Sequence, residues 1–485
     1  MKSIKELSPK PVWEIFHQLT QIPRPSKKEK NIINYAKEFG NKLGLKTSVD
    51  TVGNVVISKP AYPGMENRMG VILQGHLDMV PQKNNDKVHD FEKDPIETVV
   101  DGEWVKANGT TLGADNGIGV ACAMAILEDT NIKHGPLEVL LTIDEETGMT
   151  GAFGLKPEIL KGDILLNLDS EDEGELYIGC AGGMNTTGVL EYNEVDVPSG
   201  MKAFKISVKG LKGGHSGLDI NLGRGNATKV MNRLLWALQE TGIRISSLEG
   251  GNLRNAIPRE SFAVVCVSEA NKVKFNEIIH EYEKIFKSEF TITDPDLNIK
   301  TEVVNLPAKV MDEDAQKKLI NLIYGIPHGP MRMNPEIPEI VETSLNMSIV
   351  NVVNGEISIV CLLRSSVDSA KVSLGNMVKS VMELAGMNVI HDGAYPGWKP
   401  NLSSTILKTM KEVYNKKFGK IPEVKVIHAG LECGLIGAVY PKMELISFGP
   451  TIRAPHSPDE RVNIASVSKF WDYLVETLEN IPVKN

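Results

Sequence analysis

Four short apolar runs in this chain each lead to a histidine or an acid, and that recurrence narrows the folds open to it. Gly70-Val-Ile-Leu-Gln leads to His76 and Asp78, and Leu137 to Ile143 runs into Asp144-Glu145-Glu146. Ile164 to Leu168 ends at Asp169, and Met443 to Gly449 leads to Ala454-Pro-His456. Runs of this length and apolarity predict buried strands. In open α/β sheets ligands bind outside the carboxyl ends of the strands, so four such ends predict one shared site. His76 and Asp78 lie two apart in an extended segment and point the same way, which suits a metal-binding imidazole oriented by a neighbouring carboxylate. Taken alone, His-x-Asp is more often a surface pair. Asp115, in Gly109-Thr-Thr-Leu-Gly-Ala-Asp115-Asn-Gly-Ile-Gly, taken alone reads as a helix cap. That glycine-rich stretch lacks the G-K-[ST] ending of a phosphate loop.

At 485 residues the chain exceeds the usual size of a single core, so two domains are expected. An apolar content of 41% and a charged content of 24% fit a globular protein. The net charge of −9 and the lack of a basic stripe argue against nucleic acid as partner. No stretch reaches the ~18 apolar residues of a membrane span, and no secretory signal opens the chain. Cys122, Cys180, Cys266, Cys361 and Cys433 are odd in number, far apart and without C-x-x-C spacing. They read as reduced core residues, which makes the cytoplasm the expected compartment.

The pattern predicts an interrupted α/β domain. Residues 10–44 read as two helices broken at Pro23-Arg-Pro25, with Ser26-Lys-Lys-Glu29 as a capping box opening the second. Pro81 to Glu103 reads as a polar surface excursion. From about residue 187, strands alternate with amphipathic helices in an α+β order, as two similar units side by side. Asn354-Gly355 predicts a type I′ hairpin turn there. The expected organisation is a catalytic domain in two parts, 1–186 and 389–485, interrupted by an inserted domain at 187–388.

His76, Asp115, Glu146, Asp169 and His456 form a His/carboxylate set without thiolates. That chemistry suits Zn²⁺, Mn²⁺ or Co²⁺ and argues against a purely structural zinc. Five ligands exceed the three usual for one catalytic zinc. Two metals sharing a bridging carboxylate would use all five, as in two-metal hydrolases with ions ~3.5–4 Å apart, and Asp115 is the natural bridge. Of the adjacent acids, Glu146 is assigned as ligand and Glu145 as general base and acid.

In order along the chain, Gly-His76-Leu-Asp78, Gly-Ala-Asp115-Asn-Gly, Asp-Glu145-Glu146-Thr-Gly, Leu-Asp169-Ser-Glu and Pro-His456-Ser resemble the co-catalytic zinc metallopeptidases. That superfamily includes aminoacylases, glutamate-releasing carboxypeptidases, tripeptidases and carnosinase-like dipeptidases. Gly-Gly-His215-Ser-Gly, Asn255-Ala-Ile-Pro and His428-Ala-Gly-Leu-Glu432-Cys-Gly carry a narrower likeness to its bacterial aminoacyl-histidine (Xaa-His) dipeptidases. The resemblance implies a phosphorylase/hydrolase-like catalytic domain, a mixed sheet between helices, with an inserted α+β lid. It implies two Zn²⁺ (Co²⁺ or Mn²⁺ substituting), one on His76 and Asp169, the other on Glu146 and His456, with Asp115 bridging. Asp78 would orient His76, and Glu145 would carry the proton. His215 would stabilise the oxyanion, and Asn255 and Arg364 would hold the substrate carboxylate. Glu432 would recognise the substrate's amino end. The implied activity is hydrolysis of dipeptides, carnosine included; an N-acyl-amino-acid deacylase is the alternative, and a non-catalytic peptide-binding relative a third. The expected assembly is a homodimer.

Overall fold

The computed structural model describes residues 3–484 and divides the chain into two compact units. The first comprises Met1–Gly179, Trp398–Val426 and Leu431–Asn485, and the second Cys180–Gly397 with Ile427–Gly430. The inserted unit therefore begins before 187 and ends after 388. The reason lies in strand pairing: Gly182–Glu191 and Asn388–Tyr395 are neighbours in the second unit's own sheet.

The first unit is built on an eight-stranded sheet. Its order is Lys46–Val49, Val55–Lys59, Leu137–Thr142, Val71–His76, Ile164–Asn167, Glu444–Ser447, Glu175–Cys180 and Glu423–Ile427. The four central strands run parallel, and Val71–His76, Leu137–Thr142 and Ile164–Asn167 are buried throughout. Parallel strands covered on both faces read as unbroken apolar runs, which is why they were legible. The helix Ala114–Glu128 is buried from Asn116 to Leu127, as its all-round apolar sequence requires. With Trp13, Phe16, Leu73, Val139 and Phe470 it belongs to one continuous core.

One expectation needs correction, and another gains a strand. The second N-terminal helix, Lys30–Lys42, is preceded by Glu29 at its N-cap, without a side-chain cap, so the capping box does not form. Ser26 instead donates its hydroxyl to Asp78 Oδ2 at 2.8 Å. The surface excursion at 81–103 contains a strand, Thr98–Asp101, that turns through Gly102 into Trp104–Ala107. These two strands extend a four-stranded sheet through Arg461–Asn463 to Ile452–Arg453, so His456 stands on a loop between paired strands.

The second unit is built on a nine-stranded antiparallel sheet. Its path runs Asn298–Val304, Met201–Lys209, Ser261–Ser268, Arg244–Gly250, Val341–Val353, Glu356–Ser365, Gly182–Glu191, Asn388–Tyr395, with Gly329–Met333 on a side branch. Pairing of Leu248 with Val352 joins the two halves into one sheet. The helices Ala227–Leu238, Lys272–Glu289, Glu313–Gly325 and Asp368–Leu384 form its apolar core together with the strands. Asn354 and Gly355 have φ of 51° and 78°, both positive as a type I′ turn demands. All five cysteines are buried, and no helix among the described residues is long and apolar enough to cross a membrane.

Candidate metal centre

Five side chains converge at the carboxyl ends of the first unit's central strands. His76 is the last residue of its strand and is 1% exposed. Its neighbour Gly75 leaves room for the start of the Ala114–Glu128 helix: a Cβ there would stand 2.2 Å from Asn116 Oδ1. Asn116 in turn donates to Leu168 O at 2.6 Å, pinning the Asp115 turn to the strand that delivers Asp169. Asp115 and Asn116 depart from helical geometry, which turns the Asp115 carboxylate out of the helix. After Leu137–Thr142 the chain swings through Asp144, at φ 51°, into the short helix Glu145–Gly148. The Asp144 carboxylate accepts from the Thr147 and Thr150 hydroxyls and holds this turn.

Two overlapping groups result. The ligating atoms of His76, Asp115 and Asp169 lie within 4.8 Å of one another, as do those of Asp115, Glu146 and His456. The Asp115 carboxylate is divided between them, with Oδ1 3.1 Å from His76 Nε2 and Oδ2 3.1 Å from His456 Nε2. His76 Nε2 is 3.4 Å from Asp169 Oδ1, and His456 Nε2 is 3.0 Å from Glu146 Oε2. Glu145 also falls within 4.8 Å of His76 and Glu146.

Asp78 faces the other side of the His76 ring, with Oδ1 3.4 Å from Nδ1. It also accepts the backbone N–H groups of Glu145 at 3.0 Å and Glu146 at 3.3 Å. The Asp78 carbonyl oxygen is also 3.2 Å from Nδ1, so Asp78 orients the imidazole, leaving Nε2 for the cluster, while its carboxylate anchors both acids. Burial opposes its ionisation, yet His76, Ser26 and the Glu145 amide hold Asp78 down at about 2.

The cluster gathers several carboxylates in a buried place. Burial pushes Asp169 up to about 6, with Asp115 and Glu146 adding to the rise and His76 opposing it. Glu145 is raised well above the usual carboxylate range, first by burial and then by Asp169, Glu432 and Glu146. Hydrogen bonds to Asp115 and Glu146 drive His456 up to about 11. Glu146 Oε1 and Asp169 Oδ1 are buried without a hydrogen bond. Buried acceptors of this kind are costly unless something satisfies them. The donor set, the shared carboxylate and these unsatisfied oxygens all fit a pair of divalent cations.

In the second unit, Gly214–His215 pairs antiparallel with Ala256–Ile257, and Ser216 N donates to Asn255 O at 2.9 Å. This places Asn255, which is exposed, beside His215. His215 Nδ1 accepts the backbone N–H groups of Gly217 at 3.2 Å and Leu218 at 3.0 Å. That fixes the neutral tautomer with its proton on Nε2. Burial, followed by the Arg364 charge, pushes His215 down to about 4, so the ring stays neutral. Arg364 is 5% exposed and donates to Ser216 Oγ at 3.1 Å and the Tyr395 hydroxyl at 3.0 Å. Its Nη2 stands 3.4 Å from His215 Nε2, so two donors converge on one place. Gly217 has no Cβ because one would meet His428 O at 1.8 Å.

His428 is buried with Nε2 2.7 Å from Ser344 Oγ and has a packing role within this unit. Glu432 belongs to the first unit and is 2% exposed. Its Oε2 accepts from Gln74 Nε2 at 2.6 Å and Thr142 Oγ1 at 2.8 Å, while Oε1 has no hydrogen bond. Burial raises it to about 7.

Two residues that shape the cluster escaped the sequence reading. Arg24, between two prolines, is 2% exposed; its Nη1 donates to Leu77 O and Asp78 O, both at 2.9 Å, and Nη2 to Gly113 O. Glu460, four residues after His456, is equally buried against the Leu112–Asp115 backbone. The Pro-Arg-Pro brackets and the proximity to His456 are the only local signals either one leaves.

Residues 72–480 match Peptidase family M20/M25/M40, and the chain belongs to that family. It is 47% identical over 486 aligned positions to the cytosol non-specific dipeptidase of Escherichia coli (strain K12), with 100% of both chains covered. Its fold superposes on the crystal structure of an aminoacylhistidine dipeptidase from Vibrio alginolyticus with a TM-score of 0.96. The identity there is 48%, covering 100% of this chain and 99% of the other. The aminopeptidase PepT of Bacillus cereus shares the fold at a TM-score of 0.62 and 15% identity, covering 98% and 99%.

Proposed function

We propose that this chain is a cytoplasmic, dinuclear metal-dependent dipeptidase that hydrolyses Xaa-His dipeptides, carnosine among them, and other unblocked dipeptides. The observation that carries the reading is the Asp115 carboxylate shared between two His/carboxylate groups. Full-length identity to a cytosol non-specific dipeptidase supports the substrate class and the compartment. His76, Asp169 and Asp115 would hold one ion, and Glu146, His456 and Asp115 the other, with Zn²⁺ the assigned metal and Co²⁺ or Mn²⁺ able to replace it. When bound, such a pair supplies Lewis-acid polarisation of the scissile carbonyl and makes water more acidic. The reading includes a homodimer, carried by the family resemblance.

Glu145, raised by burial and its acidic neighbours, takes a proton from the attacking water and returns it to the leaving amine. Asp78 keeps the His76 ring and the Glu145 backbone in register. His215 offers Nε2–H to the developing oxyanion, a contribution of typically ~2.7–4 kcal/mol for one such donor. Asn255 and the Arg364 guanidinium hold the substrate's carboxylate. Glu432 recognises the substrate ammonium. Glu432→Gln is accordingly expected to raise KM for unblocked dipeptides; an unchanged KM in steady-state assays would remove it from recognition.

The deciding assay runs carnosine, α-dipeptides, a tripeptide and an N-acetyl amino acid on chelated enzyme. Each is then repeated after adding back Zn²⁺, Mn²⁺ or Co²⁺. Metal-dependent cleavage confined to dipeptides with a free amino end is the expected result. Cleavage of the acetylated substrate alone would transfer the chain to the deacylases. No turnover with metal present would leave a peptide-binding relative.

A further inference from the structure

Glu460 accepts four consecutive backbone N–H groups on one carboxylate. Oε2 receives Leu112 N at 2.7 Å and Gly113 N at 3.0 Å, and Oε1 receives Ala114 N at 2.7 Å and Asp115 N at 3.2 Å. Gly113 is gripped from its other side too, since Arg24 Nη2 takes its carbonyl. An ordinary helix cap comes from a residue adjacent in sequence and satisfies one or two amides. Here the acceptor arrives from 345 residues away and closes the loop that carries His456. One buried side chain therefore ties the backbone of the shared carboxylate to the segment bearing a ligand of one group.

We propose that Glu460 is a positioning residue for the metal pair, fixing Asp115 relative to His456 before any ion binds. The proposal rests on the reading of the cluster as a two-metal site. A carboxylate is the only side chain able to accept two N–H bonds on each of two oxygens. In Glu460→Gln the amide nitrogen would confront two of the four donors, and the Asp115 turn would lose its anchor. Partners of this kind typically change metal affinity by 10–100-fold when removed.

The test titrates Zn²⁺ into metal-free wild-type and Glu460→Gln enzyme against a chromophoric chelator and follows dipeptide turnover in parallel. Zinc affinity is expected to fall by about 10–100-fold in the variant, with the activity lost at limiting zinc returning as zinc is raised. Equal affinity in the two proteins would overturn the proposal. A wild type that binds no zinc would instead bring down the two-metal reading, and the proposal with it. Should the variant not fold, hydrogen exchange on the wild type decides. Amides 112–115 protected in metal-free enzyme support the proposal, and free exchange until zinc is added overturns it.

Discussion

Glu145→Gln is expected to lower kcat by about 10²–10⁴-fold at saturating metal, the usual contribution of a positioned proton carrier. Zinc stoichiometry should stay at the wild-type value, because Glu145 is assigned to proton transfer and not to coordination. The geometry makes this a demanding test, since Glu145 also lies within 4.8 Å of His76 and Glu146. Loss of a metal ion from the variant, by elemental analysis, would reassign Glu145 as a ligand. A second readout has the opposite sign. In the metal-free protein the Glu145 carboxylate is desolvated among Asp169, Glu432 and Glu146, and its proton is held well above the usual range. A neutral amide escapes that penalty, so metal-free Glu145→Gln should melt above metal-free wild type near neutral pH.

Substitution of Asp115 has the larger structural reach. It is the only residue common to the two groups built around His76 with Asp169 and around His456 with Glu146. Asp115→Ala should therefore weaken both ions together, whereas His456→Ala should weaken one. Loss of the metals' several kcal/mol of transition-state stabilisation predicts a fall in kcat/KM of roughly 10³-fold or more. Elemental analysis of dialysed protein checks the stoichiometry. An Asp115→Ala enzyme that kept two ions would remove the bridging role.

The strands were legible where burial on both faces left no alternative to an apolar run, and the candidate site was legible where its residues stand at the ends of those runs. His76 and Asp169 follow directly from that reasoning. Asp115 required the glycine-flanked entry and its partners, since alone it is indistinguishable from a cap. What stayed hidden depends on long-range backbone contacts. Glu460 binds amides, which every residue possesses, so nothing in the sequence marks residues 112–115 as its target. Ser26 was misread for the related reason that a hydroxyl three residues before a glutamate satisfies a capping box on paper. In the folded chain Asp78 takes that hydroxyl instead. The strands around Asp101-Gly102 were missed because each is four residues long and only partly buried.

The position of Glu444–Ser447 has a consequence for how the chain is made. This strand sits between Ile164–Asn167 and Glu175–Cys180, yet it leaves the ribosome after the whole inserted unit. At about 5–20 residues per second, roughly 15–50 s separate the two sides of that seam. During that interval the second unit, whose own sheet closes by Tyr395, already has every strand it needs. The first half of the other sheet meanwhile waits with an open apolar edge at Ile164–Asn167. The nascent chain thus carries an unpaired, buried-type strand edge until Glu444–Ser447 has been made.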